Sequence, residues 1–373
     1  MLPFPDIVDS TDEPLMSSVP PTRFVEVVFD RPLDLAFSYA VSDELAERVR
    51  VGGRVACPFG RGDKIVEGFV VRVTETAPDR PVKPIAKVLD DEPLLDEHLL
   101  KLTRWMADYY LCGWGQVLQA VVPAGVRDKA GTRSVVFVAA VPSDELPNPL
   151  PSVTLKQKRA IEVLRAATEP MELNALARQL GGAGAIHGLV SKGLIRKFSE
   201  RIERKSESDS SLHSEFRIPN SALVLNADQQ QAWDTIRPAL DSGGFHPFLL
   251  HGITGSGKTE IYLRAIEEVV KQGKEAIVLV PEISLTPQTI ERFSGRCESV
   301  AVLHSHLTDA ERGQYWRRVA AGQVQVVVGA RSAVFAPARK LGLIVIDEEH
   351  ETSFKQESTP RYHARDVAVM RAR

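Results

Sequence analysis

Cysteine is scarce in this sequence, with three among 373 residues and no C-x-x-C pair. This scarcity excludes a disulfide framework and a zinc site whose ligands are close in sequence, and it favours a reducing cytoplasm. No apolar run reaches the roughly 18 residues that a membrane-spanning helix needs, so no membrane span is predicted. Residues 1–21 also lack the basic segment and the apolar core of a signal peptide.

Neither sign of charge is in large excess over the whole chain. The 46 Lys and Arg nearly balance the 49 Asp and Glu, leaving a net charge of -3, so the overall charge indicates no nucleic-acid partner. Hydrophobic residues make up 43% and charged residues 25% of the chain, a composition typical of globular proteins with buried cores. The length predicts two or three domains.

The amino-terminal part of the chain and a later polar segment differ from the rest in composition. Residues 1–21 are rich in proline and acids and predict a disordered leader, in which Met16 is an alternative start to Met1. Residues 206–225 open with SESDSSLHS and predict a linker. Residues 22–126 combine short β-like runs with glycine turns and a helical pattern, which predicts a β-rich domain closed by a helix. The β-like runs are 24–29, 54–59 and 68–73, and the helical pattern is 97–110.

The segment 154–205 carries a strong local charge. Eleven Lys and Arg stand against five Glu, a net charge of +6. Three helical patterns precede a strand-like stretch, an order that predicts a winged helix-turn-helix. The helical patterns are 156–167, 172–180 and 185–192. A basic module of this kind usually contacts duplex phosphates, and a protein-contact or packing role is the alternative.

Residues 226–373 alternate apolar strands with helical patterns, which predicts a parallel α/β sheet. The predicted strands are 248–250, 276–280, 300–303, 324–328 and 343–346. Between the first strand and a helical pattern at 260–271, GITGSGKT matches G-x-x-x-x-G-K-[ST] in full. Its glycines let backbone N–H groups face phosphates, Lys258 suits the β- and γ-phosphates, and Thr259 suits Mg²⁺. ATP binding is therefore predicted at Gly252, Thr254, Gly255, Ser256, Gly257, Lys258 and Thr259.

The last predicted strand, 343–346, runs directly into Asp347-Glu348-Glu349-His350. A buried parallel strand would deliver Asp347 to the carboxyl edge of the sheet, beside the phosphate loop, where it can hold Mg²⁺. Glu348 can orient and deprotonate the attacking water. A solvated strand end is the alternative interpretation, and the phosphate loop in the same block argues against it.

The string DEEH resembles the D-E-x-H box of superfamily 2 helicases. The surrounding sequence resembles the replication-restart branch of that superfamily, the PriA family. The resembling strings are Gly252–Ile266, Leu279–Gln288, Gly329–Pro337, Ile346–Arg371 and, upstream, Phe37–Tyr39, Val55–Gly60 and Trp105–Tyr110. The resemblance implies a multidomain α/β protein. Its implied parts are a β-rich 3′-end DNA-binding domain (22–126), a winged helix (154–205) and a RecA-like P-loop lobe (226–373).

The resemblance also implies roles for single residues. Gln229 corresponds to a glutamine that hydrogen-bonds adenine, with an exposed Gln at a helix start as the alternative. Glu349 and His350 correspond to residues that couple the nucleotide to DNA. The implied DNA-binding residues are Arg331 and Ser332 in a strand-end loop, and Phe354, Arg361, Tyr362 and Arg365 in an aromatic-rich loop. For the aromatic-rich loop, core aromatics with surface charge are the alternative.

In the PriA family the first domain captures the 3′ end of a nascent strand at a fork. By resemblance, Phe37 would stack on the terminal base and Ser38 would meet the 3′-hydroxyl. Gly60 would permit a close backbone approach, and Lys83 would neutralise a phosphate. Some relatives carry an acid at the position of Ser38. Core or turn roles are the alternative for these residues.

The implied activity is that of an ATP-dependent 3′-to-5′ DNA helicase that assembles primosomes at stalled forks, in the bacterial cytoplasm at the nucleoid. The implied partners are forked DNA, the 3′ end of a nascent strand, single strands, primosome proteins and single-strand-binding protein. Because neither a second lobe nor a Cys-rich zinc module precedes Arg373, we expect ATP binding with poor turnover and no zinc ligands. A DNA-binding and loading module without turnover is the alternative. An unrelated P-loop kinase is disfavoured by the DEEH string and the basic segment.

Overall fold

The computed structural model describes residues 23–142, 144–167, 169–203, 224–253 and 255–373. The chain forms two compact units. Unit 1 contains the residues up to Val121 together with Lys355–Arg371 and Arg373, and unit 2 contains Val122–Phe354 and Ala372. The predicted leader and nearly all of the predicted linker lie outside the described residues. None of the described helices is both long enough and apolar enough to cross a membrane.

Unit 1 is built on a five-stranded antiparallel sheet with the strand order β2-β1-β4-β3-β5. Its strands are β1 (Arg23–Phe29), β2 (Phe37–Val41), β3 (Arg54–Phe59), β4 (Lys64–Thr74) and β5 (Lys87–Val88). β-Branched and aromatic side chains alternate along β1 and β2, so that Val25, Phe29 and Tyr39 reach one core. The three runs predicted as strands in this region are confirmed.

Three helices accompany this sheet: α1 (Asp43–Ala46), α2 (Glu97–Tyr109) and α3 (Trp114–Val121). The helix α2 begins after Asp96, whose carboxylate accepts a hydrogen bond from the Leu99 backbone N–H at 2.8 Å. It buries Leu99, Leu102 and Met106, which share one helix face. The helix predicted at 97–110 is therefore confirmed.

The first part of unit 2 combines a three-stranded antiparallel sheet, in the order β7-β6-β8, with short helices. Its elements are α4 (Ala124–Arg127), β6 (Thr132–Ala140), α5 (Leu155–Ala166), β7 (Met171–Glu172), α6 (Leu173–Leu180), α7 (Gly184–Ser191) and β8 (Ile195–Glu203). The three helices predicted within 154–205 are present as α5, α6 and α7. The sheet also includes β6, which pairs with the whole of β8 and precedes the range predicted for this module.

The second part of unit 2 contains a four-stranded parallel sheet in the order β10-β11-β9-β12. Its elements are α8 (Ala227–Ser242), α9 (Lys258–Lys271), β9 (Glu275–Leu279), α10 (Pro287–Ser294), β10 (Val300–Leu303), α11 (Asp309–Ala320), β11 (Val326–Gly329) and β12 (Leu341–Ile346). All five residues of β9 are buried, as expected for an inner parallel strand. A last helix, α12 (Ala364–Ala372), belongs to unit 1 except for its final residue.

The strand predicted at 248–250 is wrong. Residues 245–253 form neither a strand nor a helix, and Leu249 is 80% exposed. Among the described strands, β12 pairs only with β9. A short apolar run that pairs with no neighbouring strand leaves its backbone groups unsatisfied by a sheet, so it is not buried as one. Leu250 instead packs against a cluster formed by Trp233 of α8 with Ile261 and Ala265 of α9.

The short helix α4 packs tightly against α11 within unit 2. A Cβ atom added at Gly125 would lie 1.9 Å from the backbone oxygen of Asp309, the first residue of α11. On the other side of the contact, a Cβ atom at Gly313 would lie 3.1 Å from the backbone oxygen of Gly125. The backbones of α4 and α11 are therefore in direct contact here, and only glycine at position 125 permits this close approach.

We expect Gly125→Ala to lower the free energy of unfolding by about 2 kcal/mol, because the methyl group overlaps the Asp309 carbonyl and the helices must move apart. Chemical denaturation measures this change. Gly184→Ala is the matched control, because a Cβ atom there meets nothing within 4 Å at the start of α7. Equal stability of the two variants would contradict the contact described here.

Candidate functional site

The phosphate-loop motif joins the exposed segment after α8 to the start of α9. Gly257 takes a left-handed conformation, with φ of 84°, immediately before the first helical residue, Lys258. A Cβ atom at Gly257 would lie 2.2 Å from Nε2 of Gln229, so a larger residue cannot occupy this turn without displacing Gln229. The free N–H groups of the first turn of α9 therefore face the loop, an arrangement that favours anions. Thr254, predicted in this motif, lies outside the described residues.

Lys258 folds back over its own loop. Its Nζ donates hydrogen bonds to the backbone oxygens of Gly252 at 2.7 Å and Ile253 at 3.3 Å. Carbonyl oxygens are neutral acceptors, and phosphate oxygens are charged ones that bind an ammonium more strongly. The lysine is thus held where an incoming phosphate can replace the two carbonyls.

Asp347 lies at the carboxyl end of β12, where its backbone N–H donates to the Leu279 oxygen at 2.8 Å. Burial raises the pKa of its carboxyl group, and the negative charge of Glu348 raises it further. The backbone N–H of Glu348, the positive charge of Lys258 and a hydrogen bond with Tyr262 act in the opposite direction. The charge of Lys258 thus acts on Asp347 beside the carboxyl end of β12, and joint binding of a nucleotide by these two residues stays a prediction.

Tyr262 was missed by the sequence analysis. It lies one helical turn after Thr259 on α9, and its hydroxyl shares a hydrogen bond with the Asp347 carboxyl group. Burial raises the pKa of this tyrosine above its usual value, and the charge of Asp347 adds to the effect. Residues three apart on a helix share a face, and this spacing from Thr259 is the sequence signal that could have identified it.

Glu348 has an unusual backbone conformation for a residue with a side chain. Its φ is 47°, and its backbone N–H donates to Oδ1 of Asp347 at 3.2 Å. Its Oε2 lies 3.9 Å from Nδ1 of the exposed His350, and Glu349 between them is half-buried. A left-handed glutamate costs of order 1–3 kcal/mol, and such strain often accompanies functional positions.

Gln229 lies against the phosphate loop. Its Nε2 donates to the backbone oxygen of Ser256 at 3.0 Å, and its Oε1 accepts from the backbone N–H of Asn226 at 3.0 Å. The second bond belongs to a capping box that starts α8. The side chain is therefore fixed beside the loop, and adenine recognition by Gln229 stays a prediction.

The oxygen and nitrogen donors at this edge fit a phosphate chain with a magnesium ion. Mg²⁺ prefers carboxylate and hydroxyl oxygens, which Asp347 and Thr259 offer, and it usually keeps several waters. The burial that raises the pKa of Asp347 is compensated when a cation binds beside it. Over the described ranges, no group of three or more His, Cys, Asp or Glu side chains is arranged to hold a metal ion by itself.

The loops after β9, β10 and β11 lie at the same sheet edge. Glu282 links two of them, because its Oε1 accepts from the backbone N–H of Ser305 at 3.2 Å. Hydrogen bonding with Ser305 lowers the pKa of Glu282, and the nearby charge of Arg331 contributes. Arg331 and the exposed Ser332 open the helical turn that follows β11. Glu282 and Ser305 were not identified from the sequence.

The two aromatic rings of the aromatic-rich stretch are buried, whereas the sequence analysis predicts that they are exposed to DNA. Phe354 is 1% exposed and Tyr362 is 2% exposed, which contradicts the predicted base-stacking role of both rings, since a buried face cannot receive a base. Packing in the folded chain, which local sequence does not reveal, removes these rings from the surface. Arg361 and Arg365 are exposed, so the alternative of core aromatics with surface charge describes this stretch.

In unit 1 the stretch that follows Phe354 packs on the end of α2. The backbone N–H of His363 donates to the Tyr110 hydroxyl at 3.1 Å, and Nζ of Lys355 lies 5.5 Å from the centre of the Tyr110 ring. Burial raises the pKa of Tyr110. The stretch is thereby tied to the predicted DNA-binding unit.

Three of the four residues predicted at a DNA 3′ end come together in unit 1. The half-buried Phe37 ring packs against Phe59 with ring centres 5.2 Å apart, and Gly60 follows Phe59 directly. Nζ of Lys83 donates to the backbone oxygen of Gly60 at 2.9 Å. Alternation along β2 places Ser38 on the face opposite to Phe37, so its hydroxyl is not on the aromatic side.

The raised pKa of Asp347 predicts that Asp347→Asn stabilises the ligand-free protein at neutral pH. A carboxyl group whose folded pKa is raised disfavours the folded state once it ionises, so wild-type stability falls as pH rises through that pKa. The melting temperature of Asp347→Asn should exceed that of wild type at pH 7, and the difference should vanish in acid. Asp234→Asn, at an exposed position on α8, is the control and should show no such gap. A gap that persists in acid would contradict the assignment.

Two known families match the parts of the chain that contain these residues. Residues 26–123 match the family described as 3'DNA-binding domain (3'BD). Residues 226–370 match the family described as DEAD/DEAH box helicase. The first range holds the sheet of unit 1 with Phe37, Gly60 and Lys83, and the second holds Lys258 and Asp347.

Similar curated proteins cover most of this chain. Each of three relatives bears the name "Replication restart protein PriA". The relative from Bacillus subtilis (strain 168) is 35% identical, and the match covers 94% of this chain and 52% of the relative. The relative from Chlamydia pneumoniae is 35% identical, with 94% of this chain and 47% of the relative covered. The relative from Haemophilus influenzae is 34% identical, with 94% of this chain and 47% of the relative covered. The chain thus spans about half the length of these relatives. Taken with the two matched domains, this similarity shows that the chain belongs to the PriA family of replication restart proteins.

Proposed function

We propose that this chain supplies the fork-binding domains and the first ATP-binding lobe of a 3′-to-5′ DNA helicase of replication restart. The observation that carries the proposal is the placement of Lys258 at the start of α9, directly after the left-handed turn at Gly257, and of Asp347 directly after the carboxyl end of β12, where the charge of Lys258 acts on it. The match of unit 1 to a 3′ DNA-binding domain and the names of the relatives support it.

On the nucleotide side, we assign the triphosphate to the turn at Gly255–Gly257 and the first N–H groups of α9. Lys258 exchanges its two loop carbonyls for phosphate oxygens. Thr259 and Asp347 hold the magnesium ion, which supplies charge neutralisation on the phosphates when bound. Glu348 orients and deprotonates water, and Gln229 contacts the adenine edge beside the loop that it anchors.

On the DNA side, Phe37 stacks on the terminal base, while Gly60 and Lys83 receive the end of the sugar–phosphate backbone. Arg331 and Ser332 bind phosphates at the edge of the unit 2 sheet. In the stretch after Phe354, Arg361 and Arg365 contribute charge without the two buried rings.

The module of α5–α7 and β6–β8 has the elements of a winged helix and is proposed to bind duplex phosphates. Its basic residues Lys156, Lys158 and Arg159 are exposed on α5, and Lys197 is exposed on β8. Exposed basic side chains bind the phosphate backbone without regard to base sequence. By membership of the family, primosome proteins and single-strand-binding protein are proposed partners, in the bacterial cytoplasm at the nucleoid.

A DNA-binding and loading module without ATP turnover is the second candidate. The match of residues 26–123 to a 3′ DNA-binding domain favours it, since binding of a DNA end by unit 1 needs no ATP turnover. Phosphate release by this chain, measured with and without forked DNA, separates the candidates. Acceleration by the fork would exclude the passive module, whereas ATP binding without acceleration would support it.

We expect this chain to bind forks that end in a 3′-hydroxyl more tightly than forks that end in a 3′-phosphate, with an affinity that falls steeply with salt. The preference for the hydroxyl is expected because the site is proposed to receive the 3′ end of a nascent strand. The salt dependence is expected because Lys83 and the basic module would contact phosphates and release counterions. Fluorescence anisotropy titrations at several salt concentrations measure both effects. Equal affinities for the two termini would remove Phe37, Gly60 and Lys83 from the proposed site.

Lys258→Ala should abolish ATP binding and leave fork binding within about twofold, because Lys258 lies in the phosphate loop of unit 2 and the proposed 3′-end site lies in unit 1. Calorimetric titration with ATP and anisotropy with a fork report the two activities. Lys271→Ala, which removes an exposed lysine from the last turn of the same helix, should change neither. Parallel loss of both activities in Lys258→Ala would refute the separation of the phosphate loop from the proposed DNA-binding residues.

A further inference from the structure

A network of four charged side chains lies along the first turns of α9 and is not used by the proposed function. Glu260 follows Thr259 directly, in the first turn of the helix. Its Oε1 accepts a hydrogen bond from Nε of Arg264 at 2.9 Å, and its Oε2 accepts one from Nη1 of Arg296 at 2.9 Å. Nε of Arg296 also donates to Oε1 of Glu267, two turns further along α9, at 2.5 Å.

Arg296 reaches α9 from a different element, the turn that follows α10. Its backbone N–H donates to the oxygen of Phe293 at 3.1 Å. Phe293 and Cys297 are both buried in the cluster that contains Leu263 of α9. Core packing therefore fixes the backbone on either side of Arg296, and its guanidinium group joins two carboxylates of one helix.

The network places an acid where a bound phosphate would also be favoured. The side chain of Glu260 is 10% exposed and that of Arg296 is 17% exposed, so water screens their interaction little. The positive end of a helix favours any anion, and a carboxylate in the first turn therefore competes with a phosphate and repels it. Two guanidinium groups balance the two carboxylates of this network, and that balance removes the competition.

We propose that Arg296 is a positioning residue of the nucleotide site, which neutralises Glu260 and so keeps the positive end of α9 available to the phosphates. This inference rests on the proposed binding of ATP by the phosphate loop. Arg296 acts through Glu260 and not by contact with the nucleotide. Arg264 contributes to the same neutralisation from within α9.

The charge of the ligand distinguishes this role from a purely structural one. Removal of one positive charge from the network leaves an excess carboxylate near the start of α9, and the resulting repulsion grows with the negative charge of the ligand. The γ-phosphate gives ATP more negative charge than ADP, so ATP should be weakened more. A general defect in the fold would weaken both nucleotides in equal proportion.

The experiment measures the dissociation constants of ATP and ADP, each with Mg²⁺, by titration calorimetry of the whole chain. Arg296→Gln should raise the constant for ATP roughly fivefold or more and the constant for ADP less. Arg296→Lys keeps the charge and should stay within about twofold of wild type. The double variant Glu260→Gln/Arg296→Gln removes the acid together with its partner, and ATP affinity should return to within about twofold of wild type.

Two further variants complete the test. Arg264→Gln removes the other cation bound to Glu260 and should change the ratio of the two constants in the same direction, so the test does not depend on the folding of Arg296→Gln. Arg292→Gln is the matched control, because Arg292 is an exposed arginine in the last turn of α10. It should keep the wild-type ratio, and thermal melts should show which variants are folded.

Three results would overturn the inference. Wild-type ratios in both Arg296→Gln and Arg264→Gln, with ATP still bound by wild type, would reject the role of Arg296 and leave the proposed nucleotide site standing. Equal weakening of ATP and ADP that the double variant does not reverse would assign Arg296 to the fold alone. Failure of wild type to bind either nucleotide would reject the inference together with the proposed ATP site.

Discussion

The electrostatic attraction between Lys258 and Asp347 is the interaction on which the proposed chemistry of unit 2 depends. Asp347 is half-buried beside Glu348, so its negative charge is unfavourable until a cation approaches. Lys258 supplies part of that compensation from the first residue of α9, and it occupies this position because Gly257 makes a left-handed turn before it. The same helix presents Tyr262 to Asp347 one turn later. The turn at Gly257 and the helix α9 thus position both the positively charged group and the hydroxyl group that act on Asp347.

Four non-glycine residues with positive φ occur among the described residues: Asp63, Leu111, Lys129 and Glu348. Glu348 is the one that lies beside the proposed magnesium ligand, and its backbone N–H donates a hydrogen bond to Asp347. Such conformations persist because surrounding contacts enforce them, and they fix the direction in which a short side chain points.

The features predicted correctly from the sequence are those that depend on residues close together in the chain. Four of the five strands predicted in 226–373 are present, because buried parallel strands are continuous apolar runs that stand out in a sequence. The run at 248–250 was mistaken for a strand because pairing with a neighbour, which no local pattern encodes, decides that outcome. The burial of Phe354 and Tyr362 was unpredictable for a similar reason. The interaction of Tyr262 with Asp347 was missed for the same reason, because only the fold brings these two residues near each other.

The chain leaves unit 1 at Val121, builds unit 2 and re-enters unit 1 at Lys355. The returning stretch supplies the backbone donor for the Tyr110 hydroxyl and the ammonium over its ring. During translation, more than two hundred further residues must therefore be synthesised after α2 before these contacts can form. The strands of the parallel sheet in unit 2 emerge from the ribosome before Lys355, so this sheet can be complete before unit 1 finishes folding.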